Sequence, residues 1–178
     1  MKKIFPFILF ILVILAGCTT NAADTVDTPL YAGKPLVIGI IGDSPAVREN
    51  NVEFKNITFK QLEEVNNQSS ELDAIMIMKE HLSEAAESKY AKVYKNPSIP
   101  YFFIESTKSY VPFIIEELSY EEVPELDNLN YVTGYFNTGA DENQFQSWGY
   151  GLYNDKVNES NIKNVYTQIF TTIASSKI

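Results

Sequence analysis

Three short polar stretches carry the residue types that could do chemistry. They are Gly42-Asp43-Ser44, Lys79-Glu80-His81 and Glu105-Ser106-Thr107-Lys108. Each directly follows an apolar run, so each sits where a strand would end. Together they hold carboxylates, hydroxyls, ammonium groups and one imidazole. His81 is the only histidine of the chain. Oriented by Asp43 or Glu105, it could move a proton as a general acid or base. Without catalysis, Asp43, Ser44, Lys79, Glu80, His81, Glu105 and Ser106 would form a polar edge for a ligand or partner. Plainer duties suit the same residues. Asp43 and Ser44 would cap a helix, Lys79 and Glu80 would be a solvated turn, and His81 would be a surface residue. Shared fold geometry is analogy rather than evidence of a site.

Several common chemistries find no motif. No Gly-x-Gly-x-x-Gly turn and no Gly-x-x-x-x-Gly-Lys-Ser/Thr loop is present, which disfavours a dinucleotide or nucleotide cofactor. Gly-x-Ser-x-Gly is also missing, and with it the usual hydrolase elbow. With one histidine and one cysteine, no zinc cluster and no Ser-His-Asp enzyme with a spare histidine is expected. The expectation is no metal, no cofactor and no assigned catalytic residue.

The elements that must position these stretches follow from hydropathy. Pro35 to Ile41, Leu72 to Met78 and Ile99 to Ile104 are continuous apolar runs, the pattern of strands covered on both faces. Val52 to Ile57 alternates as a further strand. Ser44-Pro45 suits an N-cap and first helical position. Thr58-x-x-Gln61 fits a capping box for a helix to about Val65. Ser83 suits the cap of a helix with the stripe Leu82, Ala86, Tyr90 and Val93. Strands alternating with helices argue for a mostly parallel, flavodoxin-like or Rossmann-like sheet in three layers. In such a sheet ligands bind beyond the carboxyl ends of the strands. Residues 107–128, with Pro112, Pro124 and an acidic stretch, fit no regular element.

Tyr131 to Asn137 and Gln146 to Tyr153 read as a β-hairpin. Alternation would put Tyr131 and Tyr135 on one face, and would put Trp148 and Tyr150 on a shared face. If exposed, this aromatic surface could meet cell-wall sugars or a protein; otherwise the rings pack beneath the Pro-rich segment. Gly134, Gly149 and Gly151 would leave room on the other face for a last helix. That helix shows Ile162, Val165, Tyr166, Ile169, Phe170 and Ile173 on one stripe, with Asn158 as its cap.

Apolar content of 45% with 13% aromatics is enough for a core and excludes a disordered chain. A length of 178 residues suits one folded domain. Setting Lys2 and Lys3 aside leaves 12 of the 14 basic residues against 23 acidic ones, a charge near −11. Such a surface repels nucleic acid and anionic head groups.

The amino terminus gives the sharpest signal. Lys2 and Lys3 precede an apolar run from Ile4 to Leu15, which is shorter than a membrane span and of secretory length. It ends in Leu15-Ala16-Gly17-Cys18, and Cys18 is the only cysteine. These residues in this order resemble the lipobox of bacterial lipoprotein precursors. The resemblance covers the first 18 residues. It implies removal of 1–17 as a signal peptide, and a diacylglyceryl thioether at Cys18. It further implies a protein held on the extracytoplasmic face of the cell membrane by its lipid. Two acyl chains hold a protein to a bilayer, where one myristoyl-sized chain binds only marginally. Residues 18–33 would then be the lipidated end and a tether. Thr19 to Tyr31, small and polar, would span roughly 20 Å as a coil. Residues 34–178 would form the single domain. The expected action is binding of a small molecule, wall component or protein rather than catalysis. Cys18→Ala is expected to release the domain or leave an unprocessed precursor. Mature, membrane-bound product from that variant in cell fractionation would contradict the lipid reading.

Overall fold

A computed structural model describes residues 24–26, 28–64, 71–96, 99–126, 130–139 and 144–176. Cys18 and the loop 140–143 lie outside them. The fold is α/β, with one six-stranded mixed sheet in the order β2-β1-β3-β4-β5-β6. The strands are β1 (Leu36–Ile41), β2 (Val52–Asn56), β3 (Ala74–Ile77), β4 (Tyr101–Ile104), β5 (Asn130–Asn137) and β6 (Phe145–Gly151). The first four are mutually parallel, and β5 and β6 complete the sheet as antiparallel neighbours.

Continuous apolarity in the central strands has a direct cause, because both faces are covered. Leu36, Ile38, Ile40, Ala74, Met76, Phe102 and Ile104 point to one core, and Ile41, Ile75, Ile77, Tyr101 and Phe103 to the other. The second core is closed by α1 (Phe59–Glu63), α2 (Leu82–Ala85), α3 (Ser88–Tyr94) and α4 (Val111–Ile114). The first is closed by α5 (Glu159–Ser176) through Val165, Tyr166, Ile169, Phe170 and Ile173.

Local signals placed several ends. Thr58 and Gln61 form the reciprocal capping box of α1. The Asn158 carboxamide oxygen accepts from Asn161 N at 2.9 Å and caps α5. Two expected caps do not form. Ser44-Pro45 opens no helix, and the chain runs from Gly42 to Asn51 without regular structure before entering β2. Ser83 caps nothing, because its hydroxyl donates to Glu121 Oε1 at 2.6 Å. The helical region starts earlier, with a tight turn at Lys79–His81, and breaks between α2 and α3. The expected stripe is nevertheless buried throughout, from Leu82 to Val93.

The segment after β4 is organised by aromatic rings. Phe113 of α4 stacks on Phe103 of β4, with centroids 3.5 Å apart and planes 3° from parallel. Tyr110 lies over Tyr135, and Tyr120 lies beside Phe113. Lys108 is buried and donates to the carbonyls of Tyr120 and Glu121 at 2.6 and 3.3 Å, which curls the loop back on itself. Ser119 N and Oγ both donate to Glu122 Oε2, a local cap with no helix behind it.

Residues 24–26 and 28–31, which looked like free tether in the sequence, lie along α5. Asp24 O accepts from the amides of Asn158 and Asn161, and Val26 N donates to Asn161 Oδ1. The Thr28 hydroxyl donates to Asn164, and the Tyr31 ring packs on Phe170. Glu49, on the β1–β2 connection, accepts from Tyr31 N and from Thr167 Oγ1 and is itself buried. Polar composition here serves hydrogen bonds to a helix more than 130 positions away. Phe170 joins this strap to the sheet through Tyr31 and Phe54. Phe170→Ala is expected to cost about 3–5 kcal/mol in urea-unfolding free energy, the usual penalty for emptying a fully buried aromatic site.

Candidate functional site

The carboxyl ends of β1, β3 and β4 meet the first turns of α5 at a cleft of about 370 Å3. That is the small end of the range for ligand sites. Pro45 and Ala46 after β1, Met78 after β3, Glu105 after β4 and Tyr131 of β5 form one side. Ile162, Lys163 and Tyr166, with Asn158 and Glu159, form the other. The walls are mostly apolar or aromatic, and the charged groups stand at the rim.

Two backbone features shape this edge. Gly42 turns with φ of 113°, and a Cβ there would lie 2.6 Å from Glu80 Oε1 and 2.7 Å from Met78 Cβ. Only glycine gives both the left-handed conformation and the space. Glu105 also has a positive φ, 56°, without being glycine. Such strain persists only where the surroundings impose it, and it gathers at functional sites. It aims the carboxylate along the edge. Lys79 Nζ lies 3.2 Å from Glu105 Oε2 across the ends of β3 and β4.

Glu105 also sets the chemistry of its neighbour. Burial, then the Glu105 charge, then its hydrogen bond push the Tyr131 hydroxyl up to about 12. The Tyr166 hydroxyl is raised as well, by burial first and then by Tyr131 and Glu105. Both phenols therefore stay neutral donors at neutral pH. At the opposite rim Lys163 holds Glu159 at 2.5 Å, which keeps that carboxyl below its ordinary range.

The residues singled out in the sequence distribute unevenly. Lys79 and Glu105 come together, and Glu80 lies over Gly42. Asp43 and Ser44 are exposed on the loop that borders the cleft. His81 is turned to the other layer, with its ring edge-on to Phe59 at 6.0 Å. Ser106 is fully buried, and its hydroxyl donates to Lys108 O at 3.1 Å inside the folded loop. The hairpin aromatics do not form one exposed face. Tyr135 is buried under Tyr110 with Phe145 beside it, whereas Trp148 and Tyr150 lie on the α5 side over Phe102. The register shift between Asn130 and Val132 puts Tyr131 on the α5 side too, opposite Tyr135. A bulge reverses the alternation on which the shared face depended. The space above Gly134 holds Phe102 and Trp148, whose side chains would lie 2.9 Å from an added Cβ there.

Glu159 and Lys163 enter the site although the sequence did not mark them, while Tyr131 and Tyr166, marked for the hairpin face and the apolar stripe, line the cleft instead. The signal for the first pair was the first turns of α5, where Glu159 and Lys163 stand four apart beside an apolar stripe. Among the described residues no group of three or more metal-ligating side chains occurs, and no helix is long and apolar enough to cross a membrane.

Tyr131 and Tyr150 are both held near 12, chiefly by burial, whereas an unfolded tyrosine ionises near 10. Above pH 10 the unfolded chain loses protons that the folded chain keeps. Stability should therefore be flat below pH 10 on this account and fall as pH rises towards 12. Urea midpoints across that window test this. Glu105→Gln should move the Tyr131 step in an ultraviolet titration part of the way back towards 10. No protein-family model, curated protein or solved structure matches this chain.

Proposed function

We propose that the protein is a bacterial lipoprotein, anchored through Cys18 to the extracytoplasmic face of the cell membrane, whose domain binds a ligand without catalysing a reaction. The anchor rests on the order of Lys2-Lys3, the apolar run and Leu15-Ala16-Gly17-Cys18. The binding reading rests on one observation, the cleft beyond the carboxyl ends of β1, β3 and β4 with strained Glu105 at its rim. The strand order β2-β1-β3-β4 supports a flavodoxin-like core extended by a hairpin.

An enzyme built on His81 with Asp43 or Glu105 finds less support, since the imidazole packs on Phe59 while Glu105 engages Lys79 and Tyr131. An aromatic contact surface of Tyr131, Tyr135, Trp148 and Tyr150 finds less support too, because those rings belong to opposite layers.

Mass spectrometry of the mature product should show a chain that begins at Cys18 and carries the diacylglyceryl mass. A naked chain with another first residue would defeat the anchor. Nile red, a neutral apolar probe, should brighten on the mature chain carrying Cys18→Ser. Ala46→Trp, which fills the cleft mouth, should remove most of that signal. Equal brightening in the two chains would defeat the cleft as the binding site.

A further inference from the structure

The strap fixes where the chain leaves the folded body. Residues 24–26 and 28–31 run beside α5 in the direction of the helix. Asp24 is fixed at the first turn by Asn158 and Asn161, each at 2.9 Å. Tyr31 is fixed at Phe170, roughly 15 Å further along at 1.5 Å per residue. The chain then turns at Gly33-Lys34 and enters β1 at the amino edge of the sheet. Asp24 therefore leaves the body at the carboxyl edge, beside Asn158 and Glu159 of the cleft.

Sequence length converts this exit point into an orientation. Cys18 precedes Asp24 by six positions. Fully extended, six residues reach no more than about 20 Å. A chain free as far as Lys34 would have sixteen residues and a reach of about 55 Å, and it would hang from the opposite edge. The strap both shortens the leash and reverses the end from which it starts.

We infer that the carboxyl edge of the sheet, with its cleft, is presented to the bilayer surface at a separation set by residues 18–23. This rests on the lipid anchor proposed above. The partner of this face is the membrane surface itself. Suspension suits the charge of the edge better than contact, since Asp24, Asp43, Glu80, Glu105, Asp155 and Glu159 share it with Lys79, Lys156 and Lys163. A ligand then reaches the cleft from the membrane side.

Cys18 carries the lipid in this reading, so one added cysteine takes a dye uniquely. The full chain, processed from its own signal, would carry Ser44→Cys at the carboxyl edge or Lys34→Cys at the amino edge; both positions are exposed. Each would be reconstituted in neutral phosphatidylcholine vesicles with an acceptor dye on the head groups. Energy transfer is expected to be several-fold faster from position 44 than from position 34. Equal transfer, or faster transfer from position 34, would overturn the orientation while the anchor stands. Failure of the labelled chains to float with the vesicles would overturn the anchor, and the orientation with it. Replacing residues 24–31 by a glycine-serine run of equal length, which removes the side-chain contacts and loosens the backbone of the strap, should leave circular dichroism unchanged and shrink the difference between the positions at least twofold. A difference that survives in that variant would show that the strap does not set the orientation.

Discussion

A parallel sheet needs both faces covered, and here the connections cover only one. The link from β1 to β2 has ten residues, Gly42 to Asn51, and contains no helix. Among the described residues, the helices between β2 and β5 all pack on the face of Ile75 and Phe103. Ile38, Ile40, Met76 and Phe102 therefore depend on α5, from the far end of the chain, for exclusion of water. Each such side chain left wet would forfeit about 1.5–3 kcal/mol of burial. The long, clean stripe of α5 answers that need, and the position of the cleft follows. A helix laid across this face must begin beside the carboxyl ends of the strands, where its first turns become a wall.

The flank of α5 away from the sheet is polar, and the strap uses it. Asn161 is fully buried and serves as the junction. Its amide donates to the carbonyls of Asp24, Tyr153 and Lys156, and its oxygen accepts from Val26 N. Glu49 does similar work at the other end, with Thr167 Oγ1 at 2.5 Å and two backbone amides. Arg48 donates to Thr28 and Thr167 and binds the same three segments together. Asn161 and Glu49 are tolerated in the interior because their polar atoms are hydrogen-bonded, and such groups fix position more than they add stability.

What the sequence revealed and what it concealed divide along physical lines. Strands β1, β3 and β4 were legible because burial on both faces writes itself as unbroken apolarity. Thr58 and Asn158 were legible because a cap is a contact over three residues. Ser44 and Ser83 carried the same local chemistry and misled. The first lies on a connection that must reach a neighbouring strand directly, and the second spends its hydroxyl on Glu121. Segment 107–126 was opaque because its order comes from Phe103 and Tyr135, strangers in the sequence. The three polar stretches did lie at the carboxyl edge, as the strand pattern implied. Which side chains face the cleft depended on a layer choice for His81, a buried loop for Ser106 and, on the hairpin, a one-residue bulge at Tyr131. None of these leaves a trace in composition or spacing.

Closure of one sheet face by the last helix has a kinetic side. While a nascent chain is still incomplete, β1, β3 and β4 can pair, but Ile38, Met76 and Phe102 stay bare until residues 165–173 have emerged. The partial molecule is thus a sheet with one greasy side, the kind of species prone to aggregate. Its pairings are also non-local, which slows them. Completion of the polypeptide, rather than formation of the first strand–helix units, is therefore the event that makes this domain insensitive to its neighbours.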